Sequence, residues 1–552
     1  MLAQLNKVYP IRYTVLGLCV AGFVLALFSA LVFDTEWWLV GLTAVLLAIG
    51  AFDLLQTKRS ILRNYPVIGH LRFGLEFIRP EIRQYFIESD SEAAPFSRAQ
   101  RSLVYQRAKG EPDNRPFGTQ LDVGSSGYEW INHSMAPTRL DSHDFRITIG
   151  DAASGCTQPY SASVFNISAM SFGALSANAI LALNSGARQG NFAHDTGEGS
   201  ISQHHRVHGG DLIWEIGSGY FGCRNDDGTF NAERFAVAAK DPQVRMIELK
   251  MSQGAKPGHG GVLPGPKVTP EIAAARGVPV GRDCISPSAH SAFSTPREMM
   301  QFIARLREIS GGKPTGFKFC MGHPWEWFGI VRAMLETGIV PDFIVVDGAE
   351  GGTGAAPLEF SDHVGAPLQE GLRLVHNTLV GVGLRERIKL GCAGKVISAF
   401  DIVRMMALGA DWCNAGRGFM MALGCLQAQT CHTGHCPTGV ATQDPLRQNA
   451  LVVPDKAARV AQFHESTLHA LKELVQAAGL EHPQDITAHH IVRRITDTEV
   501  RLLANLLASV EKNALFGPLD GLHNVFKMYW PLASADSFRP RHDPSTTPPL
   551  TP

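Results

Sequence analysis

Phe343-Ile-Val-Val-Asp347-Gly-Ala-Glu-Gly-Gly-Thr-Gly354 is the stretch on which the fold turns. Four apolar residues, three of them β-branched, end at a carboxylate and run straight into a turn holding four glycines. A short apolar run closed by glycine reads as a strand buried on both faces, as in a parallel sheet. The same unit recurs on either side. Strands are expected near Val164–Ser168, Asn191–Asp195, Arg245–Met251, Asp283–Ser286, Thr315–Cys320, Phe343–Asp347, Ile388–Gly391 and Asp411–Asn414. Between them, segments such as Pro296–Ile309, Trp325–Glu336 and Ala399–Leu408 space Met, Ile, Leu and Phe as a helix does. Strand–helix alternation implies a parallel sheet. Eight units within residues 161–450 suit a (β/α)8 TIM barrel, whose usual size is about 250 residues. A doubly wound open sheet is the alternative.

In such a barrel the chemistry sits where the strands end, and the unusual residues collect there. Thr196-Gly-Glu198-Gly199 follows the second expected strand, and Gln253-Gly-Ala-Lys256-Pro-Gly258 follows the third. Lys318 lies within the fifth, and Asp347 to Gly354 follow the sixth. Gly391-Cys-Ala-Gly394 follows the seventh, and Ala415-Gly416-Arg417-Gly418 the eighth. Tight βα turns need glycine for backbone reasons alone. Their coincidence after strands seven and eight, where barrels commonly cradle a phosphate with backbone N–H groups, points to a phosphate-bearing cofactor.

Composition narrows the class. The chain has 552 residues, with 50 Lys+Arg against 51 Asp+Glu, so no global charge argues for nucleic acid. Mean hydropathy is near zero because apolar residues gather at the front. Tyr13–Phe33 holds 21 residues without a charge, and Trp37–Phe52 holds 16 more, extended by Leu54 and Leu55 if Asp53 sits at the interface. Helices over about residues 13–33 and 37–55 would form a transmembrane hairpin within residues 1–57. Lys7 and Arg12 precede it, and Lys58, Arg59 and Arg63 follow, placing both ends and the catalytic domain in the cytoplasm of a multi-pass protein of the cell membrane. A cleaved signal peptide would have an apolar stretch of only about 7–15 residues and no second run so close behind. Residues 58–160 read as a connector with an amphipathic helical face plus an N-terminal subdomain. Residues 451–533 read as helical, over Val460–Ala478 and Ile491–Leu515, and the Pro/Ser/Thr-rich stretch 534–552 as disordered.

Cys425, Cys431 and Cys436, the last followed by Pro437, place three thiols within 12 residues just past the last expected strand. Cytoplasmic thiols stay reduced, so such spacing points to a metal or redox centre. An iron–sulfur cluster suits a Cys-Pro ending. A zinc ion completed by His432 and His435 is the rival, and plain buried thiols are the third reading.

Taken together, Ser168-Ala-Met170-Ser171-Phe-Gly-Ala-Leu-Ser176, Thr196–Gly199, Gln253–Gly258, Asp347-Gly348 with Gly351–Gly354, and Cys425 to Pro445 resemble the FMN-binding synthase domain of glutamate synthases. The likeness spans about residues 160–450. It implies FMN in the barrel beside a [3Fe–4S] cluster held by Cys425, Cys431 and Cys436, the cluster passing electrons to a flavin that reduces 2-iminoglutarate to glutamate. The matching cofactor positions are Ser168, Met170, Ser171, Lys250, Gln253, Lys318, Asp347, Gly351, Gly352, Thr353, Gly354, Gly394, Gly416 and Arg417. Lys318 would neutralise charge at the flavin's N1/O2 edge; a lysine paired to structural carboxylates is the other reading. Lys256 and Arg276 match substrate-binding positions, and a carboxylate substrate needs such cations. Glu198, with Lys256, matches the catalytic positions.

Three departures qualify the likeness. The family's Lys-Pro-Gly-Glu-Gly-Gly-Gln reads Lys256-Pro-Gly-His259-Gly-Gly-Val262, so Val262 replaces a substrate-contacting Gln. Met1-Leu2 leads into the apolar hairpin rather than a glutaminase, so nitrogen would arrive as ammonia, as an amine or through another subunit. Residues beyond 455 are too few for the family's β-rich C-terminal domain. The expected activity is glutamate-synthase-like reductive amination of 2-oxoglutarate or a related acid. The electron donor is a ferredoxin, a reductase subunit or a quinol. Two alternatives stand beside it: a flavin amino-acid oxidoreductase with another substrate, such as one forming N-methylglutamate, and a non-catalytic membrane electron-transfer subunit.

Overall fold

The computed structural model describes residues 10–91 and 94–541. The chain divides into two units, Met1–Arg98 and Ala99–Pro552. Lys7 of the basic flank lies outside the described residues.

In the first unit, helices α1 (Thr14–Phe33) and α2 (Trp37–Leu55) pack as a hairpin. Their apolar side chains point outward on all sides: Leu18, Phe28, Trp38 and Leu55 are all exposed, and only Ala30, Gly50 and Asp53 are buried. A helix apolar all round has no polar face for water. At 20 and 19 residues the pair is long enough to cross a bilayer. Asp53, on which the extension of the second apolar run depends, is enclosed by the turn that follows. Its carboxylate accepts the Val67 N–H at 2.9 Å and faces His70 Nε2 at 2.9 Å. Helix α3 (Gly69–Ile82) then presents the amphipathic pattern read from the sequence, with Leu71, Leu75 and Ile78 exposed beside Arg72 and Arg79.

The second unit is built on a closed parallel barrel of eight strands: β1 (Phe165–Ile167), β2 (His194–Asp195), β3 (Leu212–Ile216), β4 (Val244–Lys250), β5 (Thr315–Phe319), β6 (Phe343–Asp347), β7 (Lys389–Ala393) and β8 (Trp412–Ala415). They pair in chain order, and β8 closes on β1 through Cys413↔Phe165 and Ala415↔Ile167. The expected fold class is therefore met, with one strand reassigned. Asp283–Ser286 is not a barrel strand; Cys284–Ile285 pairs antiparallel with Val262–Leu263 in a small excursion above the barrel mouth. The missing strand is β3, Leu-Ile-Trp-Glu-Ile, which follows a helix of only four residues, Gln203–Arg206. That short connection hides the strand–helix rhythm, and a carboxylate inside the run disguises its burial. Gln253–Gly258 thus follows the fourth strand, not the third.

Glycine lets neighbouring elements approach where the barrel wall is tight. A side chain at Gly316 of β5 would collide with the Phe343 carbonyl of β6. On the outer layer, helix α4 (Ala177–Gln189) packs against the long helix α5 (Val453–Ala477). A Cβ at Gly186 would lie 2.6 Å from Val460 Cβ and 2.8 Å from the Ala457 carbonyl. At the N-terminal end of the barrel a buried ion pair, Arg307 Nε to Asp342 Oδ2 at 2.9 Å, also takes the Thr315 N–H on Asp342 at 2.8 Å.

Beyond α5 the expectation of a helix over Ile491–Leu515 holds only for Leu503–Leu506, with a further short helix at Asn524–Tyr529. Ile491–Arg494 and Val500–Leu502 form an antiparallel hairpin that Glu129–Ile131 extends to three strands. β-branched residues in Ile491-Val492-Arg493 and a Thr-Asp-Thr turn favour a hairpin over a helix. Glu129 fastens this sheet to the barrel's outer helices, lying 2.6 Å from Arg404 and 2.5 Å from Arg493. Residues 534–541 of the expected disordered tail are ordered: Ala535 is buried, accepts the Arg297 N–H at 2.8 Å, and precedes Asp536, which pairs with Arg297 at 2.6 Å. Residues 542–552 lie outside the described residues.

Candidate active site

The loops leaving β1, β2 and β8 converge. Gly416 sits with Met170 Sδ and Ser168 Cβ both 3.7 Å from where its side chain would begin. Gly197 has φ +64°, and a Cβ there would press to 2.7 Å from the Ser171 N–H. Ser168, Met170, Ser171 and Gly416 therefore share one corner of the barrel mouth.

The loops after β4, β6 and β8 form a second cluster. The Gly254 N–H donates to Asp347 Oδ2 at 2.9 Å, and a side chain at 254 would run into the Gly348 carbonyl. Gln253 Nε2 reaches Thr353 Oγ1 at 3.5 Å. Arg417 donates to the Glu350 carbonyl at 2.6 Å, and a Cβ at Gly352 would meet its guanidinium stem at 2.8 Å. Gly351 lies over Asp347, Gly354 faces open space, and Gly394 abuts Glu350. The set is rich in glycine backbone with a half-buried arginine behind it, a donor chemistry suited to a phosphate.

A small pocket of about 30 Å³ opens where the loops after β2, β3 and β4 meet residues 258–261 and 286–288, lined by Glu198, Lys250, Gln253, Lys256, His259 and Ser286 among others. Lys250 Nζ is 3.1 Å from Glu198 Oε1 and 2.7 Å from Gln253 Oε1. Burial by itself would raise the pKa of Glu198, but Lys250, Lys256 and Arg276 outweigh it and hold it below the usual range. Burial lowers Lys256, with Glu198 opposing. Arg276 does not line this cavity. It is buried behind the Thr196–Gly199 turn, where it donates to the Phe172 carbonyl at 3.1 Å and lies over the Phe221 ring. Its Nε is buried without a hydrogen-bond partner. Val262 does not line the cavity either; it is half exposed, in the two-residue ladder with Ile285. Of the two departures in that motif, it is His259 that faces the pocket.

Lys318 lies inside the barrel, 2.8 Å from Glu215 Oε2 and 4.0 Å from Glu248 Oε1. Burial alone would lower its pKa, yet Glu215, Asp347, Glu248 and Asp195 together raise it well above normal. The pairing to carboxylates, one of the two readings of this lysine, is thus present. Asp195, Glu215 and Glu248 went unread in the sequence, although each is an acid within or ending an otherwise apolar strand. His290 was missed too. It faces Tyr220 Oη at 3.0 Å and the Lys250 carbonyl at 2.8 Å, and burial pushes it down to about 4, so it is neutral and fixes the end of β4.

Cys425, Cys431 and Cys436 are free thiols. Burial pushes Cys425 up to about 11, with Cys431 and Cys436 adding to it, so the three lie within electrostatic reach of one another. Cys436 goes the other way: burial would raise it, but N–H groups of Ala441, Thr438 and Val440 and the Thr438 hydroxyl lower it. Tyr105 clamps the loop by donating to the Cys425 carbonyl at 2.7 Å, and Lys267 Nζ donates to the Cys431 carbonyl at 3.3 Å. Three adjacent thiols supplied with backbone donors fit an iron–sulfur cluster. His432 and His435 border them in sequence, but among the described residues no three ligand atoms of this loop's cysteines and histidines lie within 4.8 Å of one another, as a zinc site would need.

Comparison with known proteins places the chain. Residues 150–481 match the family described as a conserved region in glutamate synthase. The glutamate synthase large subunit-like protein YerD of Bacillus subtilis is 36% identical over 515 residues, 85% of this chain and 97% of that one. An archaeal-type glutamate synthase [NADPH] of Thermotoga neapolitana is 36% identical over 313 residues, but the chain spans only 58% of its length. Among solved structures, a mandelate oxidase variant aligns with 73% of this chain and 90% of its own at 15% identity and a TM-score of 0.39, too distant to add to the barrel topology.

Proposed function

The chain belongs to the glutamate synthase family of oxidoreductases acting on CH–NH2 groups, and from that premise we propose that it reductively aminates 2-oxoglutarate, or a close relative of it, using FMN and a [3Fe–4S] cluster. The observation that carries the reading is the basic, polar cavity at the strand ends, where Glu198, Lys250 and Lys256 converge. FMN, when bound, supplies hydride to an imine carbon. The chain's share is to hold and orient the substrate. Lys256 pairs with a substrate carboxylate. Glu198, kept ionised by Lys250, accepts a hydrogen bond from the substrate nitrogen and orients it. Gly394, Gly416 and Arg417 would hold the phosphate, while Ser168, Met170, Ser171, Gln253, Asp347 and Gly351–Gly354 would enclose the ring and ribityl chain. Cys425, Cys431 and Cys436 would carry the cluster. Helices α1 and α2 would anchor the protein in the cell membrane, the catalytic unit facing the cytoplasm, with the donor a ferredoxin, a reductase subunit or a quinol.

The test is turnover by the purified full chain with ammonia, 2-oxoglutarate and reduced methyl viologen, alongside its flavin and iron content. Glutamate formation supports the reading, and Lys256→Met should raise KM at least about tenfold, the loss of one charged contact worth about 1.5 kcal/mol or more. A flavin-loaded enzyme that makes no glutamate sinks the named reaction. One observation favours a different substrate: His259 faces the cavity where the family places a glutamate, making the pocket more cationic. A flavin-reoxidation screen with other keto acids and amines, methylamine included, separates the two readings.

A further inference from the structure

Beneath the strand ends, three carboxylates point into the barrel from adjacent strands: Asp195 on β2, Glu215 on β3 and Glu248 on β4. Each offers an oxygen within 4.8 Å of the others, and none of the three residues is more than 2% exposed. One cation, Lys318 of β5, serves all three, 2.8 Å from Glu215 and 4.0 Å from Glu248. The other charged neighbours are engaged or face elsewhere. Asp347 on β6 takes the Gly254 N–H, and Lys250 at the end of β4 pairs with Glu198. His194, next to Asp195, alternates to the outer face against His205.

Asp195 Oδ1 accepts the Gly197 N–H at 2.9 Å. Asp195 Oδ2 and both oxygens of Glu248 meet no donor, although they are fully buried. An ionised carboxylate only accepts hydrogen bonds. Two of them facing each other out of water are satisfied only when one carries a proton. A single ammonium cannot compensate three charges at these distances. Burial and mutual repulsion accordingly raise Asp195 to about 7 and Glu248 well above the carboxylate range.

We propose that Asp195 and Glu248 share a proton, and that with Glu215 and Lys318 they form a buried proton-holding cluster that takes up one further proton when negative charge arrives at the strand ends above it. The inference rests on the FMN reading. Two electrons, delivered singly by a donor of the viologen or ferredoxin class, and one proton enter the isoalloxazine ring. A second proton enters the carboxylate cluster as the charge of Lys318 is shared between Glu215 and the newly anionic ring. The site as a whole gains no net charge.

The experiment is a mediated spectroelectrochemical titration of the flavin in the purified full chain between about pH 6 and 9. It compares wild type with Asp195→Asn, Glu248→Gln and the double variant, whose amides keep the shape and cannot ionise. Wild type is expected to take up about one proton per electron across this range, and the double variant about half a proton per electron on the alkaline side. Circular dichroism and flavin content establish that the variants are folded and loaded; should the double variant fail to fold, the single variants must each lower the slope. A flavin-loaded wild type with the lower slope throughout overturns the proposal, as do folded variants that keep the full slope. A folded chain that binds no FMN overturns the functional reading and this inference together.

Discussion

Asp195 shows how a single buried group changes what the molecule tolerates. Its carboxyl is raised to about 7 by burial and by Glu215, against Lys318. An acid whose pKa is higher folded than unfolded stabilises the fold fully below its unfolded value of about 4, and that contribution is lost as pH rises through about 7. Asp195→Asn, which keeps an acceptor for the Gly197 N–H, should therefore gain on wild type in urea midpoint as pH goes from about 5 to 8. Parallel profiles would refute the assignment. Asp342 tests the opposite situation, a buried carboxylate with a cation beside it, Arg307 at 2.9 Å. Asp342→Ala strands that guanidinium in the interior and should cost about 3–5 kcal/mol of unfolding free energy. In the thiol loop, Cys431→Ser should lose iron and the cluster's visible absorption while keeping bound flavin; simultaneous loss of both cofactors would argue that the loop is structural. The glycine-flanked residues of the site, among them Glu198, Lys256 and Gly416, were legible because their motifs are local. The barrel-interior acids were not, since a lone Glu in an apolar strand announces nothing until its partners on other strands are known.

At the scale of elements, periodicity found seven of the eight barrel strands. It mistook the Cys284–Ile285 rung for the eighth and passed over β3. Both errors have one cause: a two-residue ladder and a full strand look alike in a short window, and only the pairing partner tells them apart. The same holds for Ile491–Arg494, whose strand identity is settled by Glu129–Ile131, more than 300 residues away. Helix α5 was expected over Val460–Ala478 and begins seven residues earlier, at Val453, and its packing on α4 was not foreseeable. That packing depends on Gly186, where Val460 and the Ala457 carbonyl leave no room for a side chain. Gly186→Val should destabilise the catalytic unit by about 1–3 kcal/mol through overpacking, measured by denaturant unfolding. An unchanged midpoint would mean that the two helices can separate at no cost.

For the whole molecule, the first 57 residues set the handling properties. Helices α1 and α2 carry apolar side chains on every face and enclose among themselves only Ala30, Gly50 and Asp53. The full chain should therefore remain in the membrane pellet through an alkaline carbonate wash and need detergent for release, whereas recovery in the wash would place the hairpin on the membrane surface or in a soluble core. What the chain's linear order already contained was everything carried by short-range pattern: the parallel barrel, the apolar hairpin, the glycine-rich turns at the strand ends and the thiol triplet, because strand ends, glycine turns and cysteine spacings are local in sequence. What awaited the folded molecule was every property that arises between strands. His259 rather than Val262 faces the cavity, Arg276 stands behind it, and three acids share one lysine in the barrel's interior. Proximity across a closed barrel is created by closure, and dielectric burial exists only once the wall is complete.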